Sequence, residues 1–315
     1  MSADTPSVAD VGEFGVISRI TAGLRQPPST LLGPGDDAAV IAASDGRVVA
    51  STDVLVENVH FRLDWSNPDH VGRKAVAVNL ADVAAMGAVP TAVLVGLACP
   101  PSTPADVLAG ISGGIAAAAT AAGAGVVGGD LVGAPQLVIS ITALGDLGGR
   151  APVTRAGARP GDVVAVTGRI GWSAAGLATL SRGFRSPVAV VAAHRVPEPP
   201  YAAGPAAADA GATAMVDVSD GLLADLGHVA AASTVAIDVR SDALELPQKL
   251  VDVAAALGAD PMRWVLTGGE DHALAATFPG AVPDGWRVIG TVAEGSGVTV
   301  DGRPYEGASG WQHWG

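Results

Sequence analysis

Short apolar runs separated by glycine, proline and polar residues form the dominant pattern of the chain. Runs such as "VVASTD", "TAVLVGLA" and "VVAVTG" have the length and β-branched content of strands. The stretch "DHVGRKAVAVNLADVAAMG" (69–87) instead repeats its apolar positions with helical spacing. Because both kinds of element alternate along the chain, we predict an α/β fold with mixed α+β character.

The same pattern predicts elements in both halves of the chain. In the first half we expect a loop, a strand at "DAAVIAA", a helix from Thr103, and strands at "GVVGGD" and "QLVISITALG". In the second half we expect helices at 171–183, 222–232 and 247–257, a Pro-rich loop at 194–205, and strands at 215–218, 234–240, 263–267, 273–278, 286–293 and 297–301. The last of these strands belongs to a predicted edge hairpin, "EGSGVTVDGRPY". The aperiodic Gly/Pro/Arg stretch 145–162 predicts a domain boundary that separates 1–148 from 149–315.

Composition limits the partners of the protein. Its 315 residues are 49% hydrophobic and 16% charged, and the net charge of −13 argues against a nucleic acid or an anionic membrane as partner. The single cysteine, Cys99, excludes an intrachain disulfide and a thiolate metal cluster, and its apolar neighbours predict burial. The first residues, "MSADTPSVADVGEF", lack the apolar core of a secretory signal, so we expect a cytoplasmic protein.

One uncharged stretch, 108–129, is long enough to span a bilayer. It consists mainly of alanine and glycine, and repeated glycines weaken a continuous helix. We therefore interpret it as a buried helix that runs into a strand, and we expect no membrane partner.

Aspartates follow several of the apolar strands. The prominent positions are Asp36 and Asp37 after a Gly-Pro-Gly turn, Asp53 and Asp130 at the ends of predicted strands, Asp82 inside an apolar helix, and Asp217, Asp220 and Asp225 in "MVDVSDGLLADL". Acids beyond strand ends can converge on one crevice. Two carboxylates about 4 Å apart repel by roughly 4 kcal/mol at an effective dielectric constant near 20, so several together require cations. Taken singly, Asp106, Asp146, Asp162 and Asp225 are expected to be helix caps or turn formers.

Hard oxygen ligands of this kind favour Mg²⁺ or Mn²⁺ over zinc. Mg²⁺ in proteins commonly binds substrate phosphates as well, which suggests a nucleotide. The chain has neither G-x-x-x-x-G-K-[ST] nor the H-R-D and D-F-G motifs, which excludes P-loop and protein-kinase architectures. The phosphates would then be held by metal, by glycine amides of "VVGGD" and "TGRIGWSAAGL", and by Arg155.

Seven motifs follow one another along the chain: "GDDAAV", "STDVLVENVHF", "NLADVAAMGAVP", "GGD", "TGRIGWSAAGL", "DVSDGLLADLGH" and "GGEDHAL". This ordered set closely resembles the thiamine-monophosphate kinase family over nearly the whole chain. The resemblance implies a fold similar to the aminoimidazole-ribonucleotide (AIR) synthetase superfamily. Residues 1–148 would form an α/β domain that binds metal and ATP and pairs in a homodimer, and 149–315 an α/β domain that completes the active site. The implied reaction is the direct in-line transfer of a phosphoryl group from ATP to thiamine monophosphate.

The resemblance also implies roles for individual residues. The ligands of several Mg²⁺ ions would be Asp36, Ser51, Thr52, Asp53, Asp82, Asp130, Asp217 and Asp220. Among them, the residues expected to act directly in catalysis are Asp53, Asp130 and Asp220. ATP would contact Gly129, Asp130, Arg155 and Ser219, and the thiamine phosphate pocket would contain His60, Glu270 and Trp311. Three positions depart from the family's motifs: Trp172 in "GWSAAGL", Pro200 in "HRVPEPP" and His272 in "GGEDHAL".

Two other functions fit part of the pattern. Another ATP-using enzyme of the superfamily, an AIR synthetase or a selenophosphate synthetase, would keep the acids and change the acceptor pocket. Selenophosphate synthetases generally have a cysteine or selenocysteine near the N-terminus, which this chain lacks. A non-catalytic nucleotide-binding protein would be expected to have lost the metal acids, and all of them are present here.

Overall fold

The computed structural model describes residues 6–34 and 39–311, which form two compact units. The first unit comprises Met1–Val83 and Pro90–Asp146, and the second comprises Ala84–Val89 and Leu147–Gly315. The boundary expected after residue 148 is near the end of the first unit. The short segment Ala84–Val89 groups with the second unit, which the sequence pattern did not indicate.

The first unit combines helices with a four-stranded sheet. Its helices are α1 (Val8–Val11), α2 (Glu13–Thr21), α3 (Pro68–Ala85) and α4 (Ala105–Ala121). Its strands are β1 (Thr30–Leu32), β2 (Val40–Ile41), β3 (Val49–Val56), β4 (Val89–Cys99), β5 (Gly125–Gly133) and β6 (Val138–Asp146). The main sheet has the order β3-β6-β4-β5, and β1 pairs with β2 separately.

This sheet has one buried and one partly exposed face. Strand β3 is antiparallel to β6, whereas β4 and β5 run parallel. Side chains of β6 alternate between buried and half-buried, as expected for a strand with one face against the core. Helices α3 and α4 pack closely at two glycines. A Cβ at Gly72 would lie 2.0 Å from the Ile111 carbonyl oxygen, and one at Gly114 would lie 2.1 Å from the Asp69 carbonyl oxygen, so neither position has room for a side chain.

The second unit is built around a seven-stranded sheet. Its strands are β7 (Val163–Thr167), β8 (Ala214–Val218), β9 (Ala236–Val239), β10 (Ala273–Phe278), β11 (Arg287–Ala293), β12 (Gly297–Val300) and β13 (Arg303–Pro304). Its helices are α5 (Trp172–Ser181), α6 (Val188–Arg195), α7 (Ala203–Asp209), α8 (Leu222–Ser233), α9 (Gln248–Leu257) and α10 (Pro261–Thr267). The strand order is β13-β12-β9-β11-β7-β10-β8, so the predicted hairpin β12-β13 does lie at an edge.

The centre of this sheet carries the core of the second unit. Every residue of β10 is buried, and β10 pairs antiparallel with both β7 and β8. Phe278 of β10 packs edge-on against Trp286, with ring centroids 5.4 Å apart. Asp217 and His272 lie beside this apolar core, in β8 and directly before β10.

Most long elements were predicted correctly, and four features were wrong. The predicted strand 263–267 is the helix α10, because Asp260 accepts a hydrogen bond from the Met262 amide as an N-cap and Pro261 occupies the first turn. The predicted loop at 194–205 contains the end of α6 and the start of α7, and the initial loop contains α2. Strands β3 and β5 continue past Asp53 and Asp130, so these acids lie inside strands and not at their ends.

Two expectations about burial are confirmed. Cys99 is 1% exposed, and 108–129 is a helix followed by a strand. None of the helices in the described part of the chain is long and apolar enough to cross a membrane.

Candidate active site

Strand β3 and helix α3 bring three of the predicted metal ligands together in the first unit. Ser51 Oγ donates a hydrogen bond to Asp82 Oδ2 at 2.5 Å, and the Asp53 amide donates to Asn79 Oδ1 at 2.7 Å. Ser51 and Asp53 are two residues apart in β3 and therefore face the same side. Asn79 is fully buried and also donates to the Ala75 carbonyl oxygen, so it fixes the strand to the helix. The half-buried Asp82 is thus attached to β3 through the hydroxyl of Ser51.

Thr52 and Asp130 face the opposite side of this sheet. The exposed Thr52 donates its hydroxyl hydrogen to the Ile141 carbonyl oxygen at 2.9 Å. Asp130 of β5 lies opposite Gly96 of β4, and a Cβ at Gly96 would be 3.6 Å from Ser140 of β6. Ser140 lies opposite Val54 of β3, so Asp130 shares a face of the sheet with Val54. Strand alternation then places Asp130 on the face away from Ser51 and Asp53. The acids predicted in this unit therefore form two sets rather than one.

Gly129 and Asp130 line a cavity of about 860 Å³ in the first unit. Asp130 is the one charged side chain among the described residues that line it. A side chain at Gly129 would lie 2.2 Å from the Val95 carbonyl oxygen, so only glycine allows β5 to approach β4 at this point. Asp130 is therefore held beside the cavity by a closely packed pair of strands.

His60 sits in the turn that follows β3. Its Nδ1 accepts a hydrogen bond from the Val56 amide at 3.0 Å, and its carbonyl oxygen accepts one from the buried Lys74 Nζ at 2.9 Å. Asn58, in the same turn, has a left-handed backbone with φ 65°. Asp36, also predicted to bind metal, lies outside the described residues.

In the second unit, the loop after β8 is organised by Asp225. Its Oδ2 accepts hydrogen bonds from the amides of Ser219, Asp220 and Gly221 at 3.0–3.1 Å. The residue expected to be a turn former does have this role, and it fixes the position of Asp220 beside α8. Burial, together with the charges of Asp217 and Asp220, raises the pKa of Asp225 to about 7.

These carboxylates are close enough to bind a cation. One ligand atom each from Asp220, Asp225 and His228 lie within 4.8 Å of one another. Asp217 contributes to the same negative potential, since its charge raises the pKa of Asp225. The carboxylates of Asp217, Asp220 and Asp225 supply the oxygen ligands that Mg²⁺ prefers.

Glu270 and Trp311 join the same loop. The Glu270 amide donates to the Ser219 carbonyl oxygen at 2.7 Å, and the Trp311 amide donates to that of Asp220 at 3.0 Å. Glu270 has a left-handed backbone with φ 63°, an uncommon conformation that is often found at functional sites. The Trp311 side chain is 61% exposed and Glu270 is half-buried, so both are accessible for binding.

A buried network around Asp271 and His194 supports Glu270. Asp271 accepts hydrogen bonds from the amides of Gly171 and Ser173 at the start of α5, at 2.5 and 2.7 Å. Burial raises its pKa to about 7, although these two amides partly oppose the effect. The Ser173 hydroxyl is 3.0 Å from His194 Nδ1, which lies 3.5 Å from Glu270 Oε2. Sequence reasoning missed both Asp271 and His194.

Arg155 is not brought to this loop. Its carbonyl oxygen accepts a hydrogen bond from Ser233 Oγ at 2.8 Å, and Ser233 is the last residue of α8. Asp220 precedes the first residue of that helix, whose 12 residues span about 18 Å. The main chain of Arg155 is therefore at the opposite end of α8 from Ser219 and Asp220.

The three departures from the family's motifs occupy defined surroundings. The Arg169 guanidinium lies 5.4 Å from the centroid of the Trp172 ring and pairs with Glu198 at 2.5 Å. Pro200 lies near Gly168, whose Cβ position would be 3.4 Å from its Cδ. His272 Nδ1 is 3.1 Å from Asp217 Oδ2.

Comparison of the sequence and the fold with known proteins identifies the family of the chain. Residues 35–147 match the AIR synthase related protein, N-terminal domain, and residues 159–303 match the corresponding C-terminal domain. The chain is 53% identical over 317 residues to the thiamine-monophosphate kinase of Mycobacterium tuberculosis, covering 100% of this chain and 95% of that protein.

The chain belongs to the thiamine-monophosphate kinase family. The Corynebacterium glutamicum member is 43% identical over 320 residues, covering 98% of this chain and 95% of that protein. The solved structure of AaThiL complexed with AMPPCP and TMP superposes with a TM-score of 0.81 at 33% identity, over 99% of this chain and 100% of that chain. The two-domain AIR synthetase-like fold expected from the motifs is thereby confirmed.

Proposed function

We propose that this protein transfers the γ-phosphoryl group of ATP to thiamine monophosphate, giving ADP and thiamine diphosphate, the last step in forming that cofactor. The observation that carries the proposal is full-length similarity to the M. tuberculosis thiamine-monophosphate kinase. A structural relative that holds AMPPCP and TMP supports the same pair of substrates.

We propose Mg²⁺ as the metal, with carboxylate ligands in each unit. In the first unit the ligands would be Asp53 and Asp82 with Ser51, and in the second Asp217 and Asp220. The fit rests on the oxygen donors of these side chains and on the burial and neighbouring charges that raise the pKa of Asp225. Asp36, Thr52 and Asp130 complete the proposed set, with the Thr52 hydroxyl already bonded to a main-chain oxygen. When bound, Mg²⁺ would neutralise the phosphates of two anionic substrates.

The nucleotide and the acceptor would use different residues. Gly129 and Asp130 offer main-chain amides and a carboxylate beside one cavity, which suits a metal-bound triphosphate. Ser219 is proposed as a further ATP contact. Arg155, whose main chain lies at the opposite end of α8, would contact the nucleotide only through its extended side chain. For thiamine monophosphate, Glu270 could pair with the cationic thiazolium, Trp311 could pack on a ring, and His60 could hold polar atoms.

Catalysis by these residues would consist of alignment and charge neutralisation. A terminal phosphate oxygen of thiamine monophosphate is anionic near neutral pH, so no residue has to remove a proton from it. Asp53, Asp130 and Asp220 would act by holding Mg²⁺, which would neutralise the two phosphates and hold them in line for direct transfer. Because Asp53 and Asp130 lie on opposite faces of their sheet, they would hold different ions. In this mechanism bound metal ions, held by acids, take the role that lysines have in other kinases. The chain has only two lysines, Lys74 and Lys249.

We also propose that the protein is a homodimer that pairs through the first unit. Val54, Leu94 and Val132 share the outer face of the β3-β6-β4-β5 sheet and are 38–49% exposed. An apolar surface of this kind favours burial against another chain. Sedimentation velocity should give the mass of two chains, and Val132→Asp should shift it toward one. Because the reaction consumes ATP, we place the enzyme in the cytoplasm.

The direct test is the formation of thiamine diphosphate from ATP, Mg²⁺ and thiamine monophosphate, resolved by chromatography, with unphosphorylated thiamine as a parallel acceptor. Product from the monophosphate alone is the expected result. Absence of product from a protein that still binds Mg²⁺ and ATP would move it to another activity of the superfamily.

A further inference from the structure

His272 and Asp217 form a buried pair next to the acidic loop of the second unit. His272 Nδ1 is 3.1 Å from Asp217 Oδ2, and both side chains are 4% exposed. The His272 amide also donates to the Val218 carbonyl oxygen at 2.9 Å. His272 therefore contacts the strand that carries Asp217 through both its main chain and its ring.

The backbone at His272 is unusual. Its φ of 52° lies in the left-handed region that residues with a Cβ rarely adopt, and Glu270, two residues earlier, shares this conformation. Between them Asp271 is anchored to the start of α5 by two main-chain amides. A strained segment held from several sides is typical of a site where one side chain must point in a set direction.

Charge explains what the ring does for Asp217. A carboxylate that binds a cation can only accept hydrogen bonds, so in that role Nδ1 carries the hydrogen and donates it to Oδ2. Asp217 lies close enough to Asp225 for its charge to raise the pKa of that residue. In such a negative environment a fixed donor holds one oxygen of Asp217 and restricts rotation of the carboxylate, while further lone pairs remain for a cation.

We propose that His272 is a positioning residue for Asp217: its Nδ1–H orients the carboxylate as a ligand for the divalent cation of phosphoryl transfer. The inference rests on the proposed function, in which Asp217 binds that cation. His272 itself touches neither metal nor substrate in this role. It acts as the outer-shell partners of metal ligands do, whose loss commonly lowers metal affinity ten- to a hundredfold.

Two substitutions separate hydrogen-bond donation from filling of space. His272→Asn keeps an N–H donor near the position of Nδ1, and asparagine tolerates the left-handed backbone. His272→Phe keeps the volume of a ring and removes the donor. If the side chain acted only by packing, His272→Phe would lower cation affinity less than His272→Asn. If it acts by donating a hydrogen bond, His272→Asn would lower the affinity less.

The experiment is a titration of the full-length protein with Mn²⁺ in the presence of AMPPCP, followed by electron paramagnetic resonance of free Mn²⁺. We expect His272→Phe to weaken Mn²⁺ binding about ten- to a hundredfold and His272→Asn to stay within about threefold of wild type. In parallel, the Mg²⁺ concentration for half-maximal turnover should rise for the Phe variant, with the KM for thiamine monophosphate unchanged. Equal affinity of both variants with wild type, or a loss in Asn as large as in Phe, would overturn the proposal.

Two controls keep the inference separate from the proposed function. Absence of Mn²⁺ binding in wild type, or wild-type binding by Asp217→Asn, would contradict the proposed metal role of Asp217 itself. Failure of the His272 proposal would show only in the His272 variants. Circular dichroism checks folding, and if the Phe variant does not fold, His272→Gln replaces it. Gln moves the donor to the position of Nε2 and should also bind Mn²⁺ weakly; affinity equal to wild type would overturn the proposal.

Discussion

The hydroxyl of Ser51 donates to Oδ2 of Asp82 across 2.5 Å and joins β3 to α3. A hydrogen bond to a charged group contributes about 1.5–3 kcal/mol to stability. Because Asp82 is half-buried, we expect Ser51→Ala to lower the free energy of unfolding by about 1–2 kcal/mol and to reduce turnover as well. Urea unfolding and the phosphoryl-transfer assay measure the two effects.

The matched control for this change is Ser44→Ala. Ser44 Oγ makes a Ser–Asp hydrogen bond of 2.9 Å with Asp146 in the same unit, but in an exposed position. Its loss should change the unfolding free energy by less than about 0.5 kcal/mol. Equal effects of the two substitutions would contradict a special role for the Ser51–Asp82 contact.

Gly129 should not tolerate a side chain. A methyl group there would lie 2.2 Å from the Val95 carbonyl oxygen, so the main chain would have to move. We expect Gly129→Ala to destabilise the protein by about 1–3 kcal/mol. Gly133 lies in the same strand with no atom within 4 Å of its Cβ position, so Gly133→Ala should leave the unfolding midpoint unchanged or slightly raised. Loss of stability in the Gly133 variant alone would show that the packing argument is wrong.

Sequence patterns predicted the elements better than the spatial relations between them. Asp217, Ser219 and Asp220 lie in one short segment, so their proximity requires no long-range contact. The separation of Asp130 from Asp53 depends on the register of β5 with β4, which is a long-range property. His272 has a left-handed backbone conformation, and its side chain contacts Asp217, which is 55 residues away in the sequence. No local sequence pattern encodes that contact.

One error did have a local signal. The apolar run at 263–267 suggested a strand, yet the Asp-Pro pair at 260–261 before it is the usual start of a helix. The buried position of Asp271 had no comparable signal, because it depends on amides of α5 about a hundred residues away.

Asp130→Asn should abolish most turnover and leave the fold intact. The Asp130 side chain is exposed, and its Oδ1 accepts a hydrogen bond from the amide of the next residue, Leu131. We therefore expect kcat to fall by orders of magnitude with little change in the circular dichroism spectrum or melting temperature. Asp106→Asn, an exposed acid in the first turn of α4, should retain wild-type turnover. Near-normal activity of the Asp130 variant would remove it from the proposed metal and ATP ligands.

Mg²⁺ and AMPPCP together should raise the melting temperature well above either alone. A ligand that binds only the folded state at a hundred times its Kd adds about 2.7 kcal/mol of stability. The acids repel one another without a cation, and the nucleotide phosphates need the cation to approach them. Differential scanning fluorimetry with AMPPCP and EDTA is the control, and an equal shift in that sample would contradict a metal-dependent nucleotide site.

Asp271 should make stability depend on pH. Its pKa in the folded protein is raised to about 7 by burial, whereas an unfolded chain has an aspartate pKa near its ordinary value of 3.8. Between these two values the folded state retains a proton that the unfolded state has lost. The stabilising contribution of protonated Asp271 is therefore fully present below about pH 4 and is lost as the pH rises toward 7. The slope contributed by this single group is at most about 1.4 kcal/mol per pH unit.

Asp271→Asn removes this titration and keeps the size of the side chain. We expect the variant to be much less stable than wild type at pH 4.5 and to differ from it less at pH 7.5, because wild type loses stability from this group over that range. Urea unfolding of both proteins at each pH measures the difference, in which the contributions of all other acids cancel. A difference that stays constant from pH 4.5 to 7.5 would mean that Asp271 is already ionised across the range, and that the amides of Gly171 and Ser173 outweigh the cost of burial.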